Sequence, residues 1–259
     1  MAEPIDIFDY LPKSYKTNDE ENYITFLWES YESNYTNSKY QFAFIAYHLL
    51  FMTYVYFQVW KIYNVRAEDF KMSVLGFEKL DALLVELEER NRKNQADGKP
   101  IEMLYPFSFS EVHERTIMMF FKLIGCDKSK IGRYKKLVDD RNEIAHANGK
   151  LVFVASANLD KKTDEILELV AEIQRHSIQM IEATLIRFLT DSWDANTREF
   201  IDDREQIDEI LIRGSYLSQK DIEHLVTFDV NRLSVEPNFE TIKQLFESFK
   251  QNYLVAAEQ

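Results

Sequence analysis

Apolar residues recur every three or four positions along most of this chain, and that spacing predicts helices rather than strands. A first helix is expected over residues 19–33, with Tyr23, Phe26, Leu27 and Ser30 on one side, and the polar run 34–39 ends it. Residues 40–60 contain no charged side chain and are long enough to cross a bilayer. Gln41, His48, Thr53 and Gln58, with aromatics spread along the segment rather than gathered at its ends, favour instead the central helix of a bundle, covered by its own bundle and by a second copy. Residues 65–94 read as one further long helix carrying Phe70, Val74, Phe77, Leu80, Leu84 and Leu87 inward, closed by Asp97-Gly98-Lys99-Pro100. Residues 101–109 form a loop with an apolar rim, and Ser108 with Glu111 predicts a capping box for a helix reaching Ile124, where Gly125 breaks the pattern.

Ile131, Tyr134, Leu137, Val138, Ile144 and Ala145 define the next helix, with Asn148-Gly149 as its stop. Residues 150–156 read as an extended cover, and 159–189 as a long helix opened by Asp160 or Thr163. The expected class is all-α: a bundle of four to five long helices over residues 19–191, a lead-in segment at 1–18 and an accessory acidic helical region at 192–259. Only six glycines and five prolines in 259 residues agree with this, and 46% hydrophobic content supplies a core.

Charge changes the picture more than composition does. A formal net charge of −13 opposes nucleic-acid binding unless positive charge is gathered locally. It is gathered in one place: Lys128, Lys130, Arg133, Lys135 and Lys136 fall within nine positions. They are candidate RNA phosphate contacts, or else a solvated helix face. Asp202, Asp203, Glu205, Asp208 and Glu209 form the opposite feature, an acidic surface suited to a basic partner or to water. The single Cys126 fits a reducing compartment, and the acidic first ten residues lack the features of an export signal, so a cytoplasmic location is expected.

The candidate chemistry lies directly after the basic cluster, in Arg141-Asn142-Glu143-Ile144-Ala145-His146. Arg141 follows Leu137 by four positions and precedes Ile144 by three, so it sits on the apolar stripe, where a guanidinium needs an anionic or polar partner. His146, near the helix end, is placed to move protons. His113 and Glu114 fall in the first turn of the preceding helix; without a second histidine at ligand spacing they do not imply a metal, and Glu114 is placed to orient an imidazole or guanidinium.

Arg141, four intervening residues and His146, with a polar Asn142 after the arginine, resemble the R-x4-H signature of the HEPN superfamily of all-helical domains. The resemblance implies a homodimer joining two motifs over one RNA phosphate, and metal-independent RNA cleavage with no cofactor. In that scheme Arg141, Asn142 and His146 are catalytic, the setting is a toxin–antitoxin or antiviral defence system, an antitoxin or other protein is a further partner, and no membrane is involved. A second reading stays open: the motif is structural, and the chain is a helical interaction module that binds a protein partner.

Overall fold

The computed structural model describes residues 7–74, 77–146 and 152–254. Among these there is no strand, and the only bridge joins Pro12 to Ser218. The all-α expectation holds, but the bundle of four to five long helices does not: ten α-helical segments and one π-helical turn are present among the described residues. They are α1 (Asn18–Thr36), α2 (Tyr40–Val65), α3 (Ala67–Val74), α4 (Glu78–Ala96), α5 (Glu114–Ile117), α6 (Lys128–Ala145), α7 (Ser156–Ser192), α8 (Asp203–Gln206), α9 (Gln219–Leu225) and α10 (Phe239–Leu254). Contacts divide the chain into two units, residues 26–169 and residues 1–25 with 170–259, so α1 and α7 each contribute to both.

In the unit of residues 26–169, α2 is the centre. Every residue from Leu50 to Ile62 is buried, which accounts for its apolar character within a single copy. It is long and apolar enough to cross a membrane, yet 83% of its most apolar stretch is inside the protein. The single helix expected over 65–94 is broken. Phe77 takes a non-helical conformation before α4, and its ring packs on Phe120 5.5 Å away, while Phe120 stacks on Phe70 at 4.5 Å. Phe120 thus packs on one ring from each side of the break.

The helix expected from Ser108 to Ile124 is also in pieces: a 3-10 turn at Pro106–Glu111, then α5, then a 3-10 stretch at Met118–Ile124. Val112 and His113 are extended between the first two pieces, so Ser108 and Glu111 do not form the expected box. Gly125, at φ 83°, ends the run as predicted, because only glycine takes that left-handed cap without strain. α7 begins at Ser156, so Asp160 and Thr163 lie inside it instead of capping it; Asp160 accepts a hydrogen bond from the Tyr35 hydroxyl at 2.9 Å. The stop at Asn148-Gly149 lies outside the described residues. Of the expected cover, Phe153 packs on Phe44 at 5.1 Å and the Val152 N–H donates to Gln41 Oε1 at 2.7 Å.

The second unit has its own core, built from Ile181, Leu185 and Leu189 of α7, Ile207 and Leu211 of the π-helical turn, Leu225 of α9, and Phe246 and Phe249 of α10. Several of its surface acids are paired with neighbouring side chains. Asp203 meets Arg198 and Ser248, Glu209 meets Arg213, and Asp208 accepts from the Tyr253 hydroxyl. The acidic run nevertheless stays at the surface, with Asp202 and Glu205 exposed and Asp203, Asp208 and Glu209 half-buried.

Candidate functional site

α6 is opened by Asp127, whose carboxylate accepts the Lys130 N–H at 2.9 Å, and its rotation is fixed by the buried Ile131, Tyr134, Leu137, Val138 and Ile144. That rotation turns Arg141 inward, with its side chain 23% exposed. Its guanidinium is ion-paired to Glu114 of α5, and the other Glu114 oxygen lies 3.1 Å from Nε2 of His48 on α2. His48 is fully buried, with the Phe44 and Phe51 rings at 6.2 and 6.0 Å.

Burial alone raises the Glu114 pKa, but hydrogen bonds from His48 and Arg141 outweigh it and hold it at about 2, against an ordinary 4.5. Glu114 is therefore a carboxylate at all ordinary pH. Burial pushes His48 below its ordinary 6.5 despite the opposing pull of Glu114, so the imidazole is neutral near pH 7 and its proton sits on Nε2, facing the carboxylate. Nδ1 is then a buried acceptor, and neither it nor Arg141 Nε has a hydrogen-bond partner among the described residues. Leaving such a group unpaired costs about 1–3 kcal/mol.

Arg141 and Asn142 line an open cleft of about 750 Å³. Lys79, Arg115 and Lys135 join them there, against Glu111 and Glu114, so cations outnumber carboxylates on the wall of a strongly acidic chain. Arg115 is tied to Asp139 at 2.9 Å and Lys79 to Glu111 at 3.7 Å. His113 also lines the cleft and is exposed, just ahead of α5.

The other end of the motif points elsewhere. His146 follows the last turn of α6 as its C-cap, with extended backbone, its N–H bonded to the Asn142 carbonyl at 3.1 Å and its side chain exposed. It is not among the residues that line the cleft. The basic cluster also divides. Lys135 lines the cleft, whereas Arg133 and Lys136 line a separate groove with Asp140, Lys162 and Glu165. Lys128 and Lys130 line neither. Five bases in nine positions cannot share one face of a helix with 3.6 residues per turn. His48 was missed by sequence reasoning, since nothing in the uncharged run around it marks one histidine as the partner of a distant glutamate. Comparison with protein-family models, with curated proteins and with solved structures finds no match to this chain.

Proposed function

We propose that this chain is a metal-independent endoribonuclease of HEPN-like type, cytoplasmic, acting as a homodimer in a toxin–antitoxin or antiviral setting. The observation that carries the reading is the Arg141–Asn142 pair opening onto a cleft in which cations outnumber acids, on a chain whose overall charge of −13 otherwise repels RNA. RNA carries its own nucleophile, the 2′-hydroxyl, so the protein has only to move protons and stabilise charge on the phosphate. Arg141, held in place by Glu114, binds the non-bridging oxygens; Asn142 orients the scissile group; His146 of one copy or its partner transfers the proton. The test is incubation of RNA in excess EDTA, followed by analysis of the new ends. Terminal 2′,3′-cyclic phosphates support the scheme, and cleavage of DNA at an equal rate sinks it.

A second reading is favoured by a specific observation. Glu114 and His48 already account for the inward turn of Arg141, and His146 lies off the cleft, as a purely structural motif requires. The chain is then an interaction module whose cleft takes an acidic segment of a protein partner. RNA left intact by the purified protein, together with tight binding of such a partner, decides for this reading.

A further inference from the structure

Three of the five histidines fall in the unit of residues 26–169, and the fold gives each a different relation to the cleft. His48 is fully buried and bound to Glu114. His146 caps α6 and does not line the cleft. His113 lines it, is exposed, and makes no side-chain capping bond at the start of α5. Its backbone is nevertheless fixed, because its carbonyl accepts the N–H groups of Thr116 at 2.7 Å and Ile117 at 3.1 Å.

The next residue ties this imidazole to the arginine. Glu114 follows His113 directly, with Cα atoms about 3.8 Å apart, and its carboxylate is bound by both Arg141 and His48. An exposed imidazole and a guanidinium anchored by a carboxylate thus line one cleft within one copy. The other cations of the cleft differ in what they have left to bind. Asp139 takes Arg115 and Glu111 takes Lys79, whereas the Lys135 ammonium meets the Met119 sulfur at 3.0 Å and no carboxylate among the described residues. Lys135 precedes Arg141 on α6 by six residues, about 9 Å along the axis. That spacing suits successive phosphates of an extended strand better than one small anion.

We propose that His113 is a proton-transfer residue of the RNA cleavage, acting in the same copy and the same cleft as the Arg141 that holds the phosphate. This rests on the ribonuclease reading and adds a second imidazole to it. Attack by the 2′-hydroxyl forms the bond from that oxygen to phosphorus and breaks the bond to the 5′-oxygen. One proton leaves the first oxygen, and one must reach the second. In a concerted displacement a single imidazole makes one of these transfers, so His146, which lies off the cleft, leaves the other open. His113 supplies it: one imidazole enters neutral and takes the 2′-hydroxyl proton, and the other enters protonated and gives a proton to the 5′-oxygen. The products are a 2′,3′-cyclic phosphate and a 5′-hydroxyl, with no net change in protons or electrons.

The experiment measures cleavage of a short single-stranded RNA by the full chain in excess EDTA, for the wild type, His113→Ala and His113→Gln. Binding of the same strand carrying 2′-O-methyl groups, which lacks the nucleophile, is measured beside it. His113 is exposed, so both variants fold, which circular dichroism checks. In each variant kcat falls by at least about 10²-fold, binding of the methylated strand changes little, and one limb of the pH–rate profile disappears. Free imidazole returns part of the activity to His113→Ala. A histidine that only shapes the start of α5 moves neither the pH profile nor the response to imidazole. A smaller loss of kcat, or a loss with the pH profile intact, overturns the proposal and leaves the ribonuclease reading standing on the active wild type. RNA left intact by the wild type overturns both.

Discussion

Arg141 and Glu114 meet as an ion pair between α6 and α5, and the second oxygen of Glu114 is bound by His48 of α2. One carboxylate thus joins three elements, and it lines the same cleft as Arg141.

Glu114→Gln is expected to destabilise the protein by about 2–3 kcal/mol, because it leaves a mostly buried guanidinium without its anion while keeping the side chain's volume. The measurement is urea unfolding. A loss under about 0.5 kcal/mol shows instead that Arg141 swings out to water and that the network is not structural.

The same network sets an acid limit. Glu114 has a folded pKa depressed to about 2 from 4.5, so its contribution is fully present above 4.5 and is lost as the pH falls through about 2. His48 has a folded pKa below 6.5, so the unfolded chain takes up a proton first, and stability falls as the pH drops below 6.5. Both act in the same direction but in different windows. Between pH 7.5 and 5 the decline belongs to His48, and His48→Gln, which still donates to Glu114 but does not titrate, flattens it. An unchanged slope in that variant assigns the titration to another group.

How far the sequence led can be judged at these residues. That Arg141 needs an anionic or polar partner was legible from its place between Leu137 and Ile144, and Glu114 was placed to orient an imidazole or guanidinium. His48 was not legible, because its partner lies 66 positions away and helical periodicity carries no information on contacts between elements. The breaks before Phe77 and at Val112 were hidden for a related reason. Helical spacing continues across both, and the packing of Phe70 and Phe77 on Phe120 is a tertiary contact that spacing does not report. The all-α class, by contrast, follows from spacing and scarce glycine alone.

In the second unit, Gly214 is the position where a side chain has no room. A Cβ added there comes within 2.3 Å of the Ile210 carbonyl oxygen, in the backbone that leaves the π-helical turn. Gly214→Ala is expected to cost about 1–3 kcal/mol, as other overpacking substitutions do. Gly98, where nothing lies within 4 Å but φ is 66°, offers the comparison: there the cost of alanine comes from backbone strain alone. Thermal unfolding of both variants measures the two terms, and a neutral Gly214→Ala shows that the π-helical turn relaxes to a regular helix.

The two ends of the motif are separable, and that is the sharpest test of what it does. His146 is exposed beyond the last turn of α6, so His146→Ala is expected to change stability by no more than about 0.5 kcal/mol. If His146 transfers the proton, the same substitution lowers RNA cleavage by at least about 10²-fold. Arg141 behaves in the opposite way. Arg141→Ala leaves Glu114 charged among buried groups and is expected to cost about 3 kcal/mol, whereas Arg141→Lys keeps the charge but loses the paired contact that a guanidinium makes with a phosphate. A folded Arg141→Lys protein with lost cleavage places that residue in the reaction. His113→Ala completes the set, since His113 is the histidine on the cleft wall. Cleavage lost with His113 but kept with His146 moves proton transfer into the cleft, and an RNA left intact by every version of the protein, wild type included, gives the motif to structure and the cleft to a protein partner.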